Sequence, residues 1–377
     1  MTPQVQSDLR SSVQSEPEPI PEAESDAFHD VVAVLMAGGI GTRFWPLSTP
    51  QRPKQFLTEL ADRSLYMQAF DRARLLVPAD RILVMTSADF FDLVREQTPD
   101  APPGNVIPEP LRRDTAAAVI LASLIVADRW PNAVMAVFPS DHFIGNAAEF
   151  RRTLAAAVTR AQQGGLGTIG IRPTCAATGY GYLRLAASAE PLAAQRVEQF
   201  VEKPDRQKAE QYLASGQFLW NSGIFVWQAR ELLQAAERHL PDTHSALAGL
   251  TDAVGDRAFS DRAMESFRRI KPISIDFGVM EKAHNVWCVP AAFEWTDIGG
   301  WLATDRLIPP DECGNQVRGN AFLDEVAGTL VIGKPGHPIA VVGISECVIV
   351  HGDAGTLVCH KSAAERIKPL ISRILGL

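Results

Sequence analysis

Short unbroken runs of apolar residues alternate with longer stretches of helical periodicity between residue 31 and about residue 301. A parallel strand buried on both faces reads as a continuous apolar run, whereas an amphipathic helix repeats its apolar positions every three or four residues. The runs predict strands at residues 31–36, 82–85, 133–138, 168–171 and 223–227, and the periodic stretches predict helices at 65–76 and 115–129. Strands that alternate with helices predict an α/β sheet with crossover connections.

The pattern changes after Trp301, where short apolar pieces are separated by Gly, Pro and Asp. These pieces, at residues 329–332, 339–342, 347–350 and 356–358, predict a small β appendage, and an amphipathic stretch at 363–375 predicts a closing helix. The beginning of the chain is rich in Ser, Pro and Glu, which is typical of a disordered tail. The sequence therefore predicts a disordered tail over 1–28, a large α/β domain over 29–302, and a β-helix-like or β-roll appendage with a terminal helix over 303–377.

Composition narrows the class of protein. The chain has 377 residues, of which 46% are hydrophobic and 21% charged, and its formal net charge of -8 argues against general nucleic-acid binding, which requires clustered Lys and Arg. No apolar run reaches the ~18 residues of a membrane-spanning helix or resembles a signal sequence. The five cysteines are scattered without the CxxC spacing of a zinc site. We expect a cytoplasmic protein that binds neither nucleic acid nor membrane.

The first candidate for chemistry is a glycine-rich turn that directly follows the first predicted strand. Gly38, Gly39 and Gly41 would let the backbone approach a polyphosphate and direct its N–H groups at the oxygens. Arg43 and Lys54 would add positive charge that stabilises a pyrophosphate leaving group. This interpretation predicts that the turn, Arg43 and Lys54 face one triphosphate.

Two other phosphate-binding motifs compete for the same turn. A dinucleotide-binding fingerprint needs a glycine where Phe44 stands, and the GxxxxGK[ST] pattern of a P-loop is absent. Taken alone, the turn is also compatible with a glycine turn that has no role in binding.

Carboxylates at predicted strand ends and turns are candidates for metal binding. Asp141 follows the predicted strand 133–138, at the edge where open α/β sheets place their ligands, although Asp after a strand also caps helices. Asp297 lies in a glycine-rich segment between two tryptophans and, taken alone, reads as a turn residue. Glu202 and Lys203 end an alternating segment, and neighbours on a strand point to opposite faces, which disfavours an ion pair between them.

A series of motifs resembles the mannose-1-phosphate guanylyltransferase family, and these motifs occur in the family's order between residue 31 and residue 301. They are Gly38-Gly39-Ile40-Gly41-Thr42-Arg43-Phe44-Trp45-Pro46-Leu47-Ser48, Pro53-Lys54-Gln55-Phe56, Glu109-Pro110 with Arg113-Asp114-Thr115-Ala116, Pro139-Ser140-Asp141-His142, Thr178-Gly179-Tyr180-Gly181-Tyr182, Phe200-Val201-Glu202-Lys203-Pro204, Trp220-Asn221-Ser222-Gly223-Ile224-Phe225, Ser274-Ile275-Asp276-Phe277-Gly278-Val279-Met280-Glu281-Lys282 and Trp295-Thr296-Asp297-Ile298-Gly299-Gly300-Trp301. The resemblance implies a nucleotide-diphospho-sugar transferase fold, with a Rossmann-like mixed, mainly parallel sheet flanked by helices. It also implies that GTP and mannose 1-phosphate are the substrates.

The resemblance further implies roles for individual residues. Arg43 and Lys54 are expected to be catalytic, and Asp141 with Asp297 would hold Mg²⁺. The residues expected to bind the nucleotide are Ala37, Gly38, Gly39, Gly41, Thr42, Glu109, Arg113, Thr115 and Asp141. The residues expected to bind the sugar are Gly179, Gly181, Glu202, Lys203, Asn221 and Asp276. From the residues alone, the sugar-side group could instead be turn glycines, a solvated charge pair, and a capping Asn and Asp. His142 is expected to be structural, because an ionised sugar phosphate needs no strong general base.

Four positions depart from the family pattern that the resemblance implies: Ile40 replaces a small or polar residue, Thr49 an arginine, Asp114 an asparagine and Ala117 a proline. Asp114 would place negative charge near a triphosphate unless Arg112 or Arg113 offsets it. Three alternative functions are a glucose 1-phosphate transferase that uses UTP or dTTP, a regulator that binds sugar nucleotide without turnover, and a bifunctional enzyme that also isomerises mannose 6-phosphate. The spacing of His337, His351 and His360 disfavours the last. A homodimer that pairs through the strand edges of the appendage is a further expectation.

Overall fold

The computed structural model describes residues 27–186, 190–251, 254 and 259–375. Its helices are α1 (Leu65–Arg74), α2 (Phe91–Gln97), α3 (Asp114–Arg129), α4 (Ala147–Ala161), α5 (Arg206–Ser215), α6 (Ala229–His239), α7 (Pro241–Leu247), α8 (Phe259–Arg269) and α9 (Ile367–Leu375). One-turn 3₁₀ helices at Thr42–Phe44 and Lys54–Phe56 and a π-helix at Asp276–Met280 carry predicted site residues.

The strands of the large domain are β1 (Val31–Ala37), β2 (Ile82–Ser87), β3 (Val106–Glu109), β4 (Val134–Pro139), β5 (Phe143–Ile144), β6 (Leu166–Ile171), β7 (Tyr182–Leu185), β8 (Gln195–Val201), β9 (Phe218–Gln228), β10 (Val286–Pro290) and β11 (Trp295–Thr296). Nine of them form one sheet in the order β3-β2-β1-β4-β9-β6-β10-β8-β7, and β5 pairs separately with β11. Each of the strands and helices that the apolar pattern predicts corresponds to one of these elements.

The main sheet is mixed. Strands β3, β2, β1 and β4 pair in parallel, as do β6 and β10. The long strand β9 runs antiparallel to β4, β6 and β7, and β8 runs antiparallel to β7 and β10. The predicted mainly parallel pairing therefore describes the β3–β4 half, whereas antiparallel pairs prevail beyond β4 because β8 and β9 reverse direction.

The two faces of this sheet bury separate apolar cores, because successive side chains of a strand point to opposite faces. Val32 and Val34 of β1 pack in one core with α3 and α6, whereas Ala33 and Leu35 pack in the other with α1 and α4. Phe28 is also buried in the second core, and its carbonyl accepts from Val31 N. Phe28 is therefore wrongly included in the predicted tail; residues 1–26 of that tail lie outside the described residues.

The appendage stacks short strands on one another. Its strands are β12 (Gln316–Arg318), β13 (Ala321–Asp324), β14 (Leu330–Ile332), β15 (Ile339–Val342), β16 (Cys347–Gly352) and β17 (Gly355–His360). Strands β12, β14 and β16 pair in parallel, as do β13 and β15, and β17 returns antiparallel on β16. Parallel rungs of this kind are the arrangement of a small β-helix, and α9 follows them.

Among the helices of the described ranges, none combines the length and apolar character needed to cross a bilayer.

Candidate active site

A cavity of about 660 Å³ lies at the carboxyl ends of β1, β2, β3 and β4. This is the edge at which open α/β sheets bind their ligands. Thirteen of the residues predicted for the site line the cavity: Gly38, Gly39, Glu109, Arg113, Thr115, Asp141, Gly179, Gly181, Glu202, Lys203, Asn221, Asp276 and Asp297. Elements that are far apart in the sequence are thus brought around one space.

The glycine-rich turn forms the part of the wall that follows β1. Gly41 has a φ of +52°, and a Cβ there would lie 2.6 Å from Lys54 Cγ, so only glycine fits this position. Gln55 fixes the turn by donating to the carbonyl of Gly39 over 2.7 Å and, more weakly, to that of Ala37 over 3.4 Å. The backbone from Thr42 then forms the one-turn helix that carries Arg43.

Lys54 joins three parts of the site. Its Nζ lies 3.0 Å from Asp141 Oδ2, and it donates to the carbonyls of Asp297 over 2.7 Å and of Ile298 over 3.1 Å. The ammonium has three N–H donors, so these partners can use all of them. Asp141 and Asp297 line the cavity, whereas Lys54 is not part of the wall that the described residues form. Lys54 instead contacts these two aspartates from outside the wall.

Arg43, in the glycine-rich turn, also contacts the segment that carries Asp297. Its guanidinium is exposed and donates to the carbonyl of Gly299 over 3.2 Å. Like Ala37 and Gly41, Arg43 lies outside the cavity wall that the described residues form, and the side chain of Thr42 is not among the described parts of the chain. Arg43 and Lys54, the two residues predicted to be catalytic, therefore flank the cavity beside Asp297 rather than line it.

The carboxylate of Asp141 is held ionised by its neighbours. Burial alone would raise its pKa, but the ammonium of Lys54, and after it His142, keep the pKa below its usual value. His142 Nε2 lies 3.6 Å from Asp141 Oδ1, and its Nδ1 accepts a hydrogen bond from Trp295 Nε1. The helix-capping alternative for Asp141 is wrong, because Asn146 caps α4.

Tyr180 lines the cavity, and sequence reasoning gave it no role. Its hydroxyl donates to Asp297 Oδ1 over 2.8 Å, and its ring packs edge-on against Trp220 and Trp295. Burial and the charge of Asp297 raise the Tyr180 pKa, so the hydroxyl remains a donor. The available signal was its place between Gly179 and Gly181, but nothing local shows that the ring reaches a residue 117 positions away.

The two aspartates have the chemistry that Mg²⁺ requires. Both residues line the cavity, and Mg²⁺ commonly uses one or two carboxylates and completes its shell with water and phosphate oxygens. Within the described residues, no group of three or more His, Cys, Asp or Glu side chains is placed to hold a metal. The residues therefore fit an ion shared with substrate phosphates rather than one enclosed by protein ligands.

Glu109 is the most strongly perturbed group on the side of the cavity formed by β3. The side chain is buried, and this desolvation raises its pKa to about 8. It ends β3 and faces the turn, since a Cβ at Gly38 would lie 3.8 Å from Glu109 Oε1. A buried carboxyl on a ligand cavity gains most from a ligand that donates hydrogen bonds.

The loop after Glu109 is fixed by backbone contacts. Arg113 Nε donates to the carbonyl of Phe267 over 2.7 Å, and Thr115 Oγ1 accepts from Ile275 N over 2.9 Å. Asp114 has a φ of +61°, a left-handed conformation that Asn and Asp tolerate better than most residues. This explains why Asp can stand where the family pattern has Asn.

Neither arginine next to Asp114 forms the ion pair expected to offset its charge. Arg112 pairs with Asp89 over 3.0 Å, and Arg113 donates to carbonyls. The charge of Asp114 acts instead on Lys203, contributing weakly to the raised pKa of that ammonium.

Glu202 and Lys203 correct a sequence interpretation. Lys203 Nζ lies 2.7 Å from Glu202 Oε1, so the ion pair that strand alternation disfavours is present. The reason is that β8 ends at Val201 and Lys203 adopts a φ of +47°, which removes the alternation. Burial alone would lower the Lys203 pKa, but the hydrogen bond and charge of Glu202 raise it.

Asn221 and Asp276 line the cavity as a hydrogen-bonded pair. Asn221 Nδ2 donates to Asp276 Oδ1 over 2.7 Å, and Asn221 Oδ1 accepts from Thr168 Oγ1 over 2.8 Å. Asn221 lies inside β9, so the capping alternative for it is wrong. Burial and the charge of Glu202 raise the Asp276 pKa to about 7, so near neutral pH this carboxyl can donate as well as accept a hydrogen bond.

Comparisons with known proteins agree on one family. The family model described as "Nucleotidyl transferase" matches residues 32–305. The mannose-1-phosphate guanylyltransferase of Sinorhizobium fredii is 35% identical over 349 residues, which cover 91% of this chain and 68% of that protein. The xanthan biosynthesis protein XanB of Xanthomonas campestris is 33% identical, with 92% of this chain and 73% of that protein covered. A solved structure from Thermus thermophilus, described as a "mannose-1-phosphate geranyltransferase", has a TM-score of 0.80 and 32% identity, with 92% of this chain and 99% of that chain covered.

Proposed function

Since the chain belongs to the nucleotidyl transferase family, we propose that it is a mannose-1-phosphate guanylyltransferase, which joins GTP and mannose 1-phosphate to give GDP-mannose and pyrophosphate. The observation that carries the proposal is the convergence of the glycine-rich turn, Lys54, Asp141 and Asp297 at one cavity edge. The same cavity is lined by Glu202, Asn221 and Asp276, which would bind the hydroxyls of the sugar.

The chemistry is an in-line displacement. An oxygen of the sugar phosphate bonds to the α-phosphorus of GTP, and the bond from that phosphorus to the bridging oxygen of the β-phosphate breaks. Pyrophosphate leaves with the electron pair, so no covalent enzyme intermediate and no strong general base are required. Positioning and charge stabilisation then supply most of the catalysis.

Each part of the site would have its own role in this reaction. The turn residues Gly38 and Gly39 would orient the phosphates, and Arg43 and Lys54 would stabilise the charge that develops on the leaving group. Mg²⁺, held by Asp141 and Asp297, would supply electrostatic neutralisation of the phosphate oxygens. Neutral His142 fits a structural role, because Trp295 already occupies its Nδ1.

The sugar side offers donors and acceptors of both kinds. Glu202 can accept from a hydroxyl, and Lys203 would bind the sugar phosphate after leaving its ion pair with Glu202. Asp276 is fixed by Asn221 and would contact a second hydroxyl. Gly179 and Gly181 belong to the same wall and would approach the sugar through their backbone.

One assay tests the proposal. Purified protein with Mg²⁺ would be incubated with each of mannose and glucose 1-phosphate in combination with GTP, UTP, dTTP and ATP, and pyrophosphate release would be followed. The highest kcat/KM is expected for mannose 1-phosphate with GTP. Equal or better turnover of glucose 1-phosphate with UTP or dTTP would overturn the substrate assignment, and an absence of pyrophosphate with every pair would leave only a sugar-nucleotide-binding regulator.

The choice of GTP rests on Glu109. Guanine presents two adjacent donors, N1–H and the exocyclic amine, which one carboxylate can accept together. Uracil and thymine present one donor between two carbonyl oxygens, and these would face the carboxylate unfavourably. The Glu109 pKa of about 8 means that the free protein holds a proton there at neutral pH, and guanine binding would release it.

Replacement of Glu109 by glutamine should reduce the preference for GTP over inosine triphosphate, which lacks the exocyclic amine. A hydrogen bond to a charged group contributes ~1.5–3 kcal/mol, so we expect the affinity ratio to fall by roughly 10- to 100-fold. Calorimetric titration with each triphosphate measures this ratio without turnover. The replacement is nearly isosteric, so an unchanged ratio would remove Glu109 from base recognition.

The same titrations give a pH test with a definite sign. A carboxyl group whose pKa is raised in the folded protein must lose its proton to accept two donors, so wild-type affinity for GTP should increase from about pH 6.5 to about pH 8.5. Glu109→Gln should lack that increase. A wild-type affinity that falls over this range would contradict the assignment.

A further inference from the structure

The segment that follows the glycine-rich turn is packed against the C-terminal appendage. Phe44 is fully buried, and its ring lies 4.7 Å from that of Trp301 in an edge-on contact. One apolar cluster contains Phe44, Trp45 and Leu47 from this segment together with appendage residues Leu330, Ile332, Val348, Val350, Leu357, Ile367 and Ile371. The appendage and the turn thus share one core.

The β16–β17 hairpin approaches this segment closely enough to require glycine. A Cβ at Gly352 would lie 2.9 Å from Leu47 Cδ2 and 3.0 Å from the carbonyl oxygen of Pro46. A Cβ at Gly355 would lie 2.9 Å from Trp45 Cζ2. Backbone and ring atoms cannot yield as the end of a flexible side chain can, so the hairpin and residues 45–47 form a tight interface.

The terminal helix contacts the turn itself. Helix α9 packs against the one-turn helix Thr42–Phe44. Its buried side includes Ile371, which is 2% exposed, whereas Ile374, three residues along, is 52% exposed. Ile371 therefore packs in the shared core, whereas Ile374, close to the end of the helix, lies largely outside it.

Within the ranges that the structure describes, Arg43 has few contacts of its own that could fix it. Its guanidinium is exposed, and the hydrogen bond that it donates goes to the carbonyl of Gly299 over 3.2 Å. The neighbouring Phe44 is the buried anchor of the turn, and its carbonyl accepts from Leu47 N and Ser48 N, both over 2.9 Å. The position of Arg43 therefore depends on how firmly Phe44 is held.

We propose that the appendage is a positioning element of the transferase site: α9 and the β16–β17 hairpin hold the Phe44 segment so that Arg43 is aimed at the triphosphate. This inference rests on the proposed function, because it takes Arg43 to stabilise charge on the leaving group. A displacement of about 1 Å in a catalytic group can cost on the order of 100-fold in rate. Packing by the far end of the chain would thus contribute to kcat.

Helix α9 provides a matched pair of variants for the test. Ile371→Ala removes buried atoms that pack in the shared core, and Ile374→Ala removes the same atoms from an exposed position. We expect Ile371→Ala to lower kcat by about tenfold or more, with KM for mannose 1-phosphate within about twofold of wild type. Ile374→Ala should retain wild-type kcat. Circular dichroism at the assay temperature must show that each variant is folded.

A double-mutant cycle with Arg43→Ala separates positioning from general loss of stability. If α9 acts through Arg43, Ile371→Ala should cause little further loss of kcat in the Arg43→Ala background. Equal kcat losses in both backgrounds, or equal activity of the two isoleucine variants, would overturn the inference. If Ile371→Ala does not fold, Ile371→Val provides a milder disturbance of the same interface and is judged by the same cycle. Inactive wild-type protein in the guanylyl-transfer assay would instead refute the proposed function.

Discussion

Replacing Lys54 by methionine should lower kcat by about 100- to 1,000-fold while changing KM for mannose 1-phosphate little. The side chain is mostly buried, and its Nζ contacts Asp141 and the backbone of Asp297. Methionine has nearly the same length but no charge, so it removes both the cation and the link between these residues. The loss belongs mainly to kcat because developing charge on pyrophosphate is stabilised more in the transition state than in the bound substrates.

The Lys54 variant also has a second measurable consequence. Without the ammonium, burial would act on Asp141 with less opposition, and the pKa of that carboxyl should rise towards or above its usual value. Asp141 stabilises the folded protein while it is ionised and paired, so the stability that this pair contributes to the wild type is present above the usual pKa of Asp and is lost as pH falls through the depressed one. The difference in unfolding free energy between wild type and Lys54→Met should therefore shrink as the pH falls below about 4.

Lys208→Met is the matched control for Lys54→Met. Lys208 is an exposed residue on α5 whose Nζ lies 3.7 Å from Asp205. An exposed pair of this kind contributes little to stability, so kcat and the melting temperature should both stay near wild type. Near-normal kcat in Lys54→Met, with the protein folded, would remove Lys54 from the mechanism.

The sequence predicted many of the residues that line this cavity, but it did not predict which of them contact one another. Asp141 and the glycine-rich turn could be placed because each directly follows a strand of the parallel half of the sheet, and the carboxyl ends of parallel strands share one edge. The positions of the strands follow from continuous apolar runs. Local pattern was therefore sufficient wherever a residue's place depends on the strand before it.

Contacts between distant segments were beyond the local pattern. The hydrogen bond from Tyr180 to Asp297 joins the loop before β7 to the loop after β11, and no periodicity encodes that contact. The interpretation of Glu202 and Lys203 failed for a different reason, because it extended strand alternation past the end of β8 into a left-handed residue. The packing of α9 against the Arg43 turn joins the two ends of the fold; the amphipathic pattern predicted the helix but not its partner.

The pairing of strands in the sheet also shows that local pattern predicts elements but not how distant segments meet. Apolar runs predicted β4, β6 and part of β9, yet a buried run has the same appearance in either direction. Strand β9 pairs with β4, β6 and β7 over its eleven residues, all antiparallel. Direction is fixed by connections and loop lengths, so the mixed character beyond β4 emerges only from the assembled chain.

Replacing Asp297 by asparagine should reduce kcat by about 100-fold or more, because a neutral amide is a weak ligand for Mg²⁺ and does not balance the cations beside it. The change keeps the shape of the side chain and its hydrogen bond from Tyr180. The backbone carbonyl that accepts from Lys54 is also retained, so the loss would report the charge of the carboxylate rather than the link to Lys54. Titration of Mg²⁺ against the protein with a non-hydrolysable GTP analogue should show weakened metal binding, which is a measure independent of turnover.

Tyr180→Phe should have a smaller effect than Asp297→Asn, and comparing the two variants tests whether Asp297 binds Mg²⁺. The variant keeps the aromatic packing on Trp220 and Trp295 and removes the hydroxyl that orients Asp297 Oδ1. Removing a partner that orients a metal ligand typically costs ~10- to 100-fold in metal affinity or activity, so Tyr180→Phe should lie between wild type and Asp297→Asn in both Mg²⁺ affinity and kcat. Excess Mg²⁺ should restore much of its rate, because the carboxylate is still present. Normal Mg²⁺ affinity and rate in Asp297→Asn would show that the carboxylate does not serve the ion, and the magnesium assignment would then fail whatever the Tyr180 variant does.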